Sequence, residues 1–391
     1  MMRDDKKVAV IVHNTSPGGV QRVGISEVAW LHKACYEAVL ISILKSREWD
    51  LIKKLDVKTI YLSESNEFLG RLFNTLLIDR LVSKFKYTSP DFIIAHNIPG
   101  GQVALGLRKY LKGSKLKKPI VLYLHDPLVY PIAGSLYSIC AKYFPSTLLK
   151  IEEKIIQNVD IILTNSKRTL IKLIKIHKKK SDIRDRATVL YPTINIPIPE
   201  HEIKKERKRY LLIVGRIDHE AFFNVYKIMK KINMPFVIAG SYHPYNMNAW
   251  RTLHLLYRLK NKGKKIKLIL NPSDEELLGL YKNALLFVYP GHENFNMSAI
   301  EAMSVGCPIL VADTSGVCEI LPTNLREYLC LPKTNINHWI SRIIEIVRNN
   351  ESYRLGKRCW EITQRYNIHT HMDKLMLFLK MLSDRADLLK A

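Results

Sequence analysis

Short apolar runs alternate with helical patterns twice along this chain, and IPIPEHEIKKERKR (196–209) separates the two series. The first series reads KVAVIVH (7–13), EAVLISI (37–43), DFIIAH (91–96), PIVLYLH (119–125), VDIILTNS (159–166) and ATVLYP (187–192). The second reads YLLIVG (210–215), MPFVIAG (234–240), KIKLIL (265–270), ALLFVYP (284–290), CPILVAD (307–313) and EYLCL (327–331). Nearly continuous apolar runs of this length suit strands buried on both faces, as in a parallel sheet covered by helices. The pattern predicts an α/β fold with two Rossmann-like, doubly wound parallel-sheet domains and a ligand in the cleft between them. The expected boundaries are 1–196 for the first domain, 197–209 for the linker and 210–365 for the second. A C-terminal helix, 366–391, has the first domain as its candidate packing partner.

A length of 391 residues suits two cores better than one. The apolar runs fall far short of the ~20 residues that span a bilayer, and the start MMRDDKKVAVIVHN lacks the apolar stretch of a signal peptide. A cytoplasmic protein is expected. The six cysteines (35, 140, 307, 318, 330, 359) show no CxxC spacing and are expected as buried free thiols rather than disulfides or zinc ligands. Scarce Gln with abundant Lys and Ile leans towards a hot-environment (thermophile) source or AT-rich coding.

A net charge of +25 calls for an anionic partner. The runs KIHKKK (175–180), KKERKR (204–209) and RLKNKGKKIK (258–267) each read as solvated faces when taken singly. Without interleaved aromatics or a named module, no specific nucleic-acid partner is expected. Helix 68–85, with Arg71, Arg80 and Lys84 beside its apolar stripe, and YPIAGSLYSICAKYF (130–144) are the candidates for meeting an anionic membrane surface. Packing on the first sheet is the plainer reading of both.

Ligands of open parallel sheets lie beyond the carboxyl ends of the strands. Three strands of the first half end there in His13-Asn14, His96-Asn97 and His125-Asp126, with His96 reading as a structural histidine. Gly18 and Gly19 open a helix whose N–H groups suit an anion. In the second half, YPGHENFNMSAIEAMSVGCP (289–308) carries Glu293 on a loop and Glu301 in a helix expected from Met297 to Val305, with Gly306 as its stop. Carboxylates from a loop and a helix can accept hydroxyls from two sides of a sugar nucleotide. On spacing alone, an exposed loop acid and a solvated helix residue fit equally well.

ENFNMSAIEAMSVGCPI resembles the Glu-x7-Glu signature of the family-4 retaining glycosyltransferases of GT-B fold. PDFIIAHN (90–97), YLHD (123–126), NSKRT (165–169), YPTIN (191–195), IVGRID (213–218), SDEELLGLYKNA (273–284) and VADTSGVCEIL (311–321) extend the resemblance over nearly the whole chain. It implies a metal-independent hexosyltransferase that takes a UDP- or GDP-sugar, needs no cofactor and serves a glycan, lipid-linked or protein acceptor. Glu301 would bind the ribose and Glu293 the donor sugar. Arg216 would neutralise the diphosphate, and His125 would lie against the sugar. Main-chain groups around Phe295, Asn296, Met297 and Ser298, with Gly18 and Gly19, would hold phosphate, and Ser315 and Gly316 would approach the donor. Ala221 stands where the family usually has a lysine, with Lys227 the next one downstream and His219 a weak substitute. Asn294 and Asn296 replace two glycines. The alternative is therefore a catalytically weakened sugar-nucleotide-binding or partner subunit.

Overall fold

The computed structural model describes residues 6–46, 49–63, 90–111, 118–126, 145–177, 182–193, 198–217, 221–242 and 247–388. They form two compact units. One holds the elements up to β7 together with the last helix, and the other holds everything between. The segments 68–85 and 130–144, and His219, lie outside the described residues.

The first unit is built on a seven-stranded sheet in the order β3-β2-β1-β4-β5-β6-β7. Its strands are β1 (Lys7–Val12), β2 (Glu37–Leu44), β3 (Thr59–Ser63), β4 (Phe92–His96), β5 (Ile120–Leu124), β6 (Ile161–Thr164) and β7 (Ala187–Val189). The second is built on six strands in the order β10-β9-β8-β11-β12-β13. These are β8 (Lys208–Val214), β9 (Phe236–Gly240), β10 (Ile266–Leu270), β11 (Ala284–Tyr289), β12 (Ile309–Ala312) and β13 (Cys330–Leu331). Every pairing is parallel, with β1 registered against β4 at Val8↔Phe92 and β11 against β8 at Leu286↔Leu211. The apolar runs are buried as the pattern demands: Ala9, Val10, Ile11 and Val12 are fully inaccessible, and so are Leu286 and Phe287.

Both sheets reverse direction once, between β1 and β4 in the first and between β8 and β11 in the second. At such a switch point the loops leaving the two strands diverge and open a crevice at their carboxyl ends. One crevice receives the chain after Val12 and His96, the other the chain after Val214 and Tyr289.

Four local features depart from the sequence reading. EYLCL (327–331) was expected as a strand, but Thr323–Leu329 is helical and only Cys330–Leu331 pairs in the sheet. β3 (TIYLS) was not anticipated: it is an edge strand in which only Leu62 is buried. β8 starts at Lys208 rather than 210, because two exposed cationic residues extend it and Lys208 pairs with Ala284. Cys318 and Cys330 form a disulfide with Cα atoms 6.3 Å apart. The expectation of free thiols fails there because Cys330 pairs across the sheet with Val311 on β12, next to the turn that carries Cys318. Cys307 and Cys359 are buried free thiols, whereas Cys35 is free but exposed, at φ 63° just after the helix Gly19–Lys33.

The last helix, Ile368–Leu388, is part of the first unit. Met372, Leu375 and Leu379 are buried, and Trp30 Nε1 donates to His369 Nδ1 at 3.2 Å.

Candidate functional site

In the second unit, β11 delivers the chain to the sheet rim and the loop 290–296 leads into the helix Met297–Ser304. Asn296 caps that helix from the left-handed region (φ 80°), and its Oδ1 accepts from Ala299 N at 3.0 Å. Asparagine is one of the few residues other than glycine that tolerates this φ, so the turn survives the substitution. The helix ends at Val305, with Gly306 at φ 71° in the position expected for its stop.

Both glutamates are held by tyrosines. Tyr289 donates its hydroxyl to Glu293 Oε1 at 2.9 Å, and Tyr281 donates to Glu301 Oε2 at 3.1 Å. Glu301 is only 7% exposed, which removes the reading of a solvated helix residue. Glu293 is half-buried. Neither tyrosine stood out in the sequence, although Tyr289 precedes Glu293 by four residues at a strand end, where a rim partner would be sought.

The loop is fastened from the other side by the turn at 315–317. Gly316 N donates to the Glu293 carbonyl at 3.1 Å, and Val317 N donates to the Phe295 carbonyl at 2.7 Å. The Ser315 hydroxyl also donates to Phe295 O, at 3.4 Å. A Cβ at Gly316 would lie 1.9 Å from the Asn294 carbonyl oxygen, so only glycine permits this approach. Ser315 and Gly316 thus shape the loop, and the Phe295 side chain is buried. Asn296 Nδ2 is a buried donor without a hydrogen-bond partner among the described residues. A buried donor left in this state costs about 1–3 kcal/mol unless a ligand completes it. Met297 and Ser298, in the first turn of the helix, are half-buried.

Arg216 follows β8 and is exposed at the same switch point. Ala221 begins the helix Ala221–Lys231 and is 1% exposed; its Cβ packs against Gly291, where an added Cβ would approach it to 2.4 Å. Lys227 lies further along that helix, its Nζ over the Phe223 ring at 4.3 Å.

In the first unit, the helix Gly19–Lys33 starts from Gly18 with no side-chain cap and no acidic residue in its first turn. That leaves its leading N–H groups suited to an anion. Asn14 Oδ1 accepts from Gln21 Nε2 at 2.9 Å and from Ser16 N at 3.2 Å, which shapes the approach.

His125 closes β5 and is fixed at both backbone and ring. Asn97, at φ 58°, accepts from His125 N at 2.7 Å and from Asp126 N at 3.2 Å through its side-chain oxygen. The ring Nε2 lies 3.1 Å from His96 Nδ1, whose Nε2 lies 2.9 Å from Glu27 Oε2. Glu27 Oε1 in turn lies 3.0 Å from Nε2 of His371 on the last helix, and His371 Nδ1 faces the Tyr191 carbonyl at 3.0 Å. Glu27 and His96 are fully buried, and His371 is 3% exposed. His96 is thus structural, as read. Both acceptors facing His371 demand donated hydrogens, and the Glu27 carboxylate demands one from His96 Nε2, leaving His96 Nδ1 to accept from His125. Burial opposes the Glu27 charge, but His96 and His371 outweigh it and hold its pKa down to about 2. Burial first, with the neighbouring His96 second, pushes the His125 pKa well below its ordinary 6.5, so the ring is neutral. Glu27 and His371 were missed in the sequence because nothing local pairs them.

No group of three or more His, Cys, Asp or Glu among the described residues is placed to hold a metal ion.

Two all-parallel doubly wound units, each with polar residues at its switch point, define a protein of GT-B architecture. Residues 197–358 match the family model described as Glycosyl transferases group 1. Among solved structures, sucrose-phosphate synthase from Thermosynechococcus elongatus superposes with TM-score 0.73 at 18% identity, covering 97% of this chain and 100% of that one. Anabaena HepE in complex with UDP-glucose gives 0.72 at 14% identity, covering 96% and 99%. At these identities the likeness shows the fold. Human alpha-1,3/1,6-mannosyltransferase ALG2 is 22% identical over 242 residues, which is 56% of this chain and 57% of that protein. An uncharacterized glycosyltransferase of Methanocaldococcus jannaschii is 27% identical over 172 residues, 40% of this chain and 43% of its own. The chain thus spans about half the length of the curated relatives it matches.

Proposed function

We propose that the chain is a retaining, metal-independent glycosyltransferase that moves a hexose from a nucleotide-diphosphate sugar to a glycan, lipid-linked or protein acceptor. One observation carries this reading: Glu293 and Glu301, each oriented by a tyrosine hydroxyl, flank a helix start whose capping Asn296 holds a buried donor in reserve. Glu301 receives the ribose hydroxyls and Glu293 those of the sugar. Arg216 and the N–H groups at Asn296, Met297 and Ser298 stabilise the departing diphosphate, the largest charge to develop in the reaction. The bond from the anomeric carbon to the phosphate oxygen breaks while the acceptor oxygen bonds the same face, and the acceptor proton passes to the leaving phosphate. Gly18 and Gly19 offer further N–H groups to phosphate, and neutral His125 lies against the sugar. UDP is the first donor nucleotide to test, since HepE is seen with UDP-glucose, with GDP the other.

A thermal-shift panel of UDP, GDP, ADP and their sugars is the first experiment; a ligand at 100 times its Kd adds about 2.7 kcal/mol. Turnover with the stabilising donor is expected to vanish in Glu293→Gln and Arg216→Ala. Full turnover in both variants would refute the assignment. Ala221, buried against Gly291, favours the second reading, a weakened binding or partner subunit. That reading expects donor binding with no turnover over a broad acceptor panel.

A cytoplasmic location stays a proposal, and a net charge of +25 supports contact with an anionic membrane surface. No described helix is long and apolar enough to cross a bilayer.

A further inference from the structure

Between Glu220 and Asp274 the chain has no acidic residue, where its frequency of 36 in 391 would place roughly five. The same stretch carries Lys227, Lys230, Lys231, Arg251, Arg258 and the run KNKGKKIK (260–267). It folds as the helix Ala221–Lys231, β9, the helix Met247–Asn261 and the edge strand β10. Right-handed crossovers set both helices on one face of the sheet. On that face the apolar side chains are unusually open: Phe223 is 59% exposed, Met247 69%, Trp250 58% and Tyr257 54%. At 100° per residue, Met247, Trp250, His254 and Tyr257, with Arg251 and Arg258 on one margin, fall within an arc of about 120°. Ala249, Leu253, Leu256 and Leu259 face inward.

We propose that the outer face of these two helices, led by Trp250, Tyr257, Arg251 and Arg258, docks on an anionic lipid surface. The inference deepens the membrane reading above and names the face responsible. Tryptophan and tyrosine are suited to the headgroup boundary because each has an apolar body and a polar tip. Basic residues beside them add attraction to anionic lipid. A second copy of the chain would oppose two acid-free cationic faces, so self-association is disfavoured. The thioether of Met247 suits hydrocarbon and offers no ring for stacking a base.

The full chain is incubated with phosphatidylcholine vesicles, with and without about 30% phosphatidylserine, at low salt. Wild type is expected to pellet with the anionic vesicles only, and brominated lipid is expected to quench a component of its fluorescence that Trp250→Phe removes. Trp250→Ser/Tyr257→Ser and Arg251→Glu/Arg258→Glu are expected to weaken partitioning by about tenfold each. These are exposed positions, so thermal midpoints and UDP-sugar binding stay at wild-type values. Absence of pelleting by wild type overturns both this inference and the membrane reading. Undiminished pelleting of the double variants overturns only the choice of face. Arginine-dependent binding of a single-stranded oligonucleotide that displaces vesicles would make the face a nucleic-acid site instead.

Discussion

Replacing Glu27 by glutamine tests the buried network behind His125. The side chain keeps its shape but loses its charge, and one of its two histidine partners then meets an amide N–H in place of a carboxylate oxygen. The fall in the Glu27 pKa from 4.5 to about 2 corresponds to roughly 3 kcal/mol favouring the ionised form in the folded chain. Removing one member of a buried charge pair costs a similar 3–5 kcal/mol. The Glu27→Gln variant is thus expected to lose about 3 kcal/mol at pH 7, a drop of roughly 6–12 °C in midpoint for a unit of this size. Because the folded pKa lies below the unfolded one, this contribution is complete above pH 4.5 and disappears as the pH falls through 2. Glutamine does not titrate, so the gap between wild type and variant closes across that window. Urea unfolding followed by fluorescence at pH 7, 4 and 3 measures it. Equal stability at pH 7, or a gap that stays constant on acidification, would refute the network as described.

Three further outcomes are expected. His125 has a depressed folded pKa, so below pH 6.5 the unfolded chain binds a proton the folded chain refuses; stability falls there by up to about 1.4 kcal/mol per pH unit, and His125→Phe removes that part of the slope in paired urea titrations at pH 7 and 5.5. The Cys318–Cys330 bond spans a sequence separation of 12 and stabilises by about 3 kcal/mol through the shortened unfolded loop, so reductant lowers the midpoint of wild type and leaves Cys318→Ala/Cys330→Ala unmoved. Asn296→Gly changes stability by only a few tenths of a kcal/mol, because relief of the left-handed φ offsets the lost cap. It is expected to weaken donor binding several-fold in calorimetry through loss of Nδ2.

What the sequence made legible follows from what each contact needs. Ala9–Val12 and Leu286–Val288 announce themselves because both faces of their strands are buried, which forces an unbroken apolar run. β3 sits at an edge where only Leu62 must be apolar, so it leaves no run to read. The helix at Asp274–Asn283 was readable from its cap: Ser273 accepts from Glu276 N, and Glu276 returns a bond to Ser273 N. Glu293 and Glu301 could be singled out because loop and helix are adjacent in sequence, and Asn296 could be trusted at positive φ on its chemistry alone. Their tyrosine partners could not. The Tyr281–Glu301 bond crosses from the helix Asp274–Asn283 to the helix Met297–Ser304, and no spacing rule fixes that geometry. The disulfide was hidden for the same reason, since it joins a turn to a strand only once β12 and β13 pair.

The last helix shows why the remainder stayed out of reach. Glu27 lies 344 residues from His371, and it sits on an inward-facing position of a helix where an apolar residue would ordinarily stand. Alone there, a carboxyl group would give up its charge, because burial is the largest influence on it and favours the neutral acid. Two histidine donors reverse that outcome, one at the end of β4 and one brought by the helix Ile368–Leu388. The ionised carboxylate then fixes the hydrogen on His96 Nε2, and His96 Nδ1 is left to accept from His125. The orientation of His125, close to the middle of the first unit's sheet, is therefore set by a residue near the end of the chain. A helix that looks from sequence like an amphipathic tail supplies one of the donors that keep Glu27 ionised, and so helps fix the tautomer at a candidate sugar-facing residue.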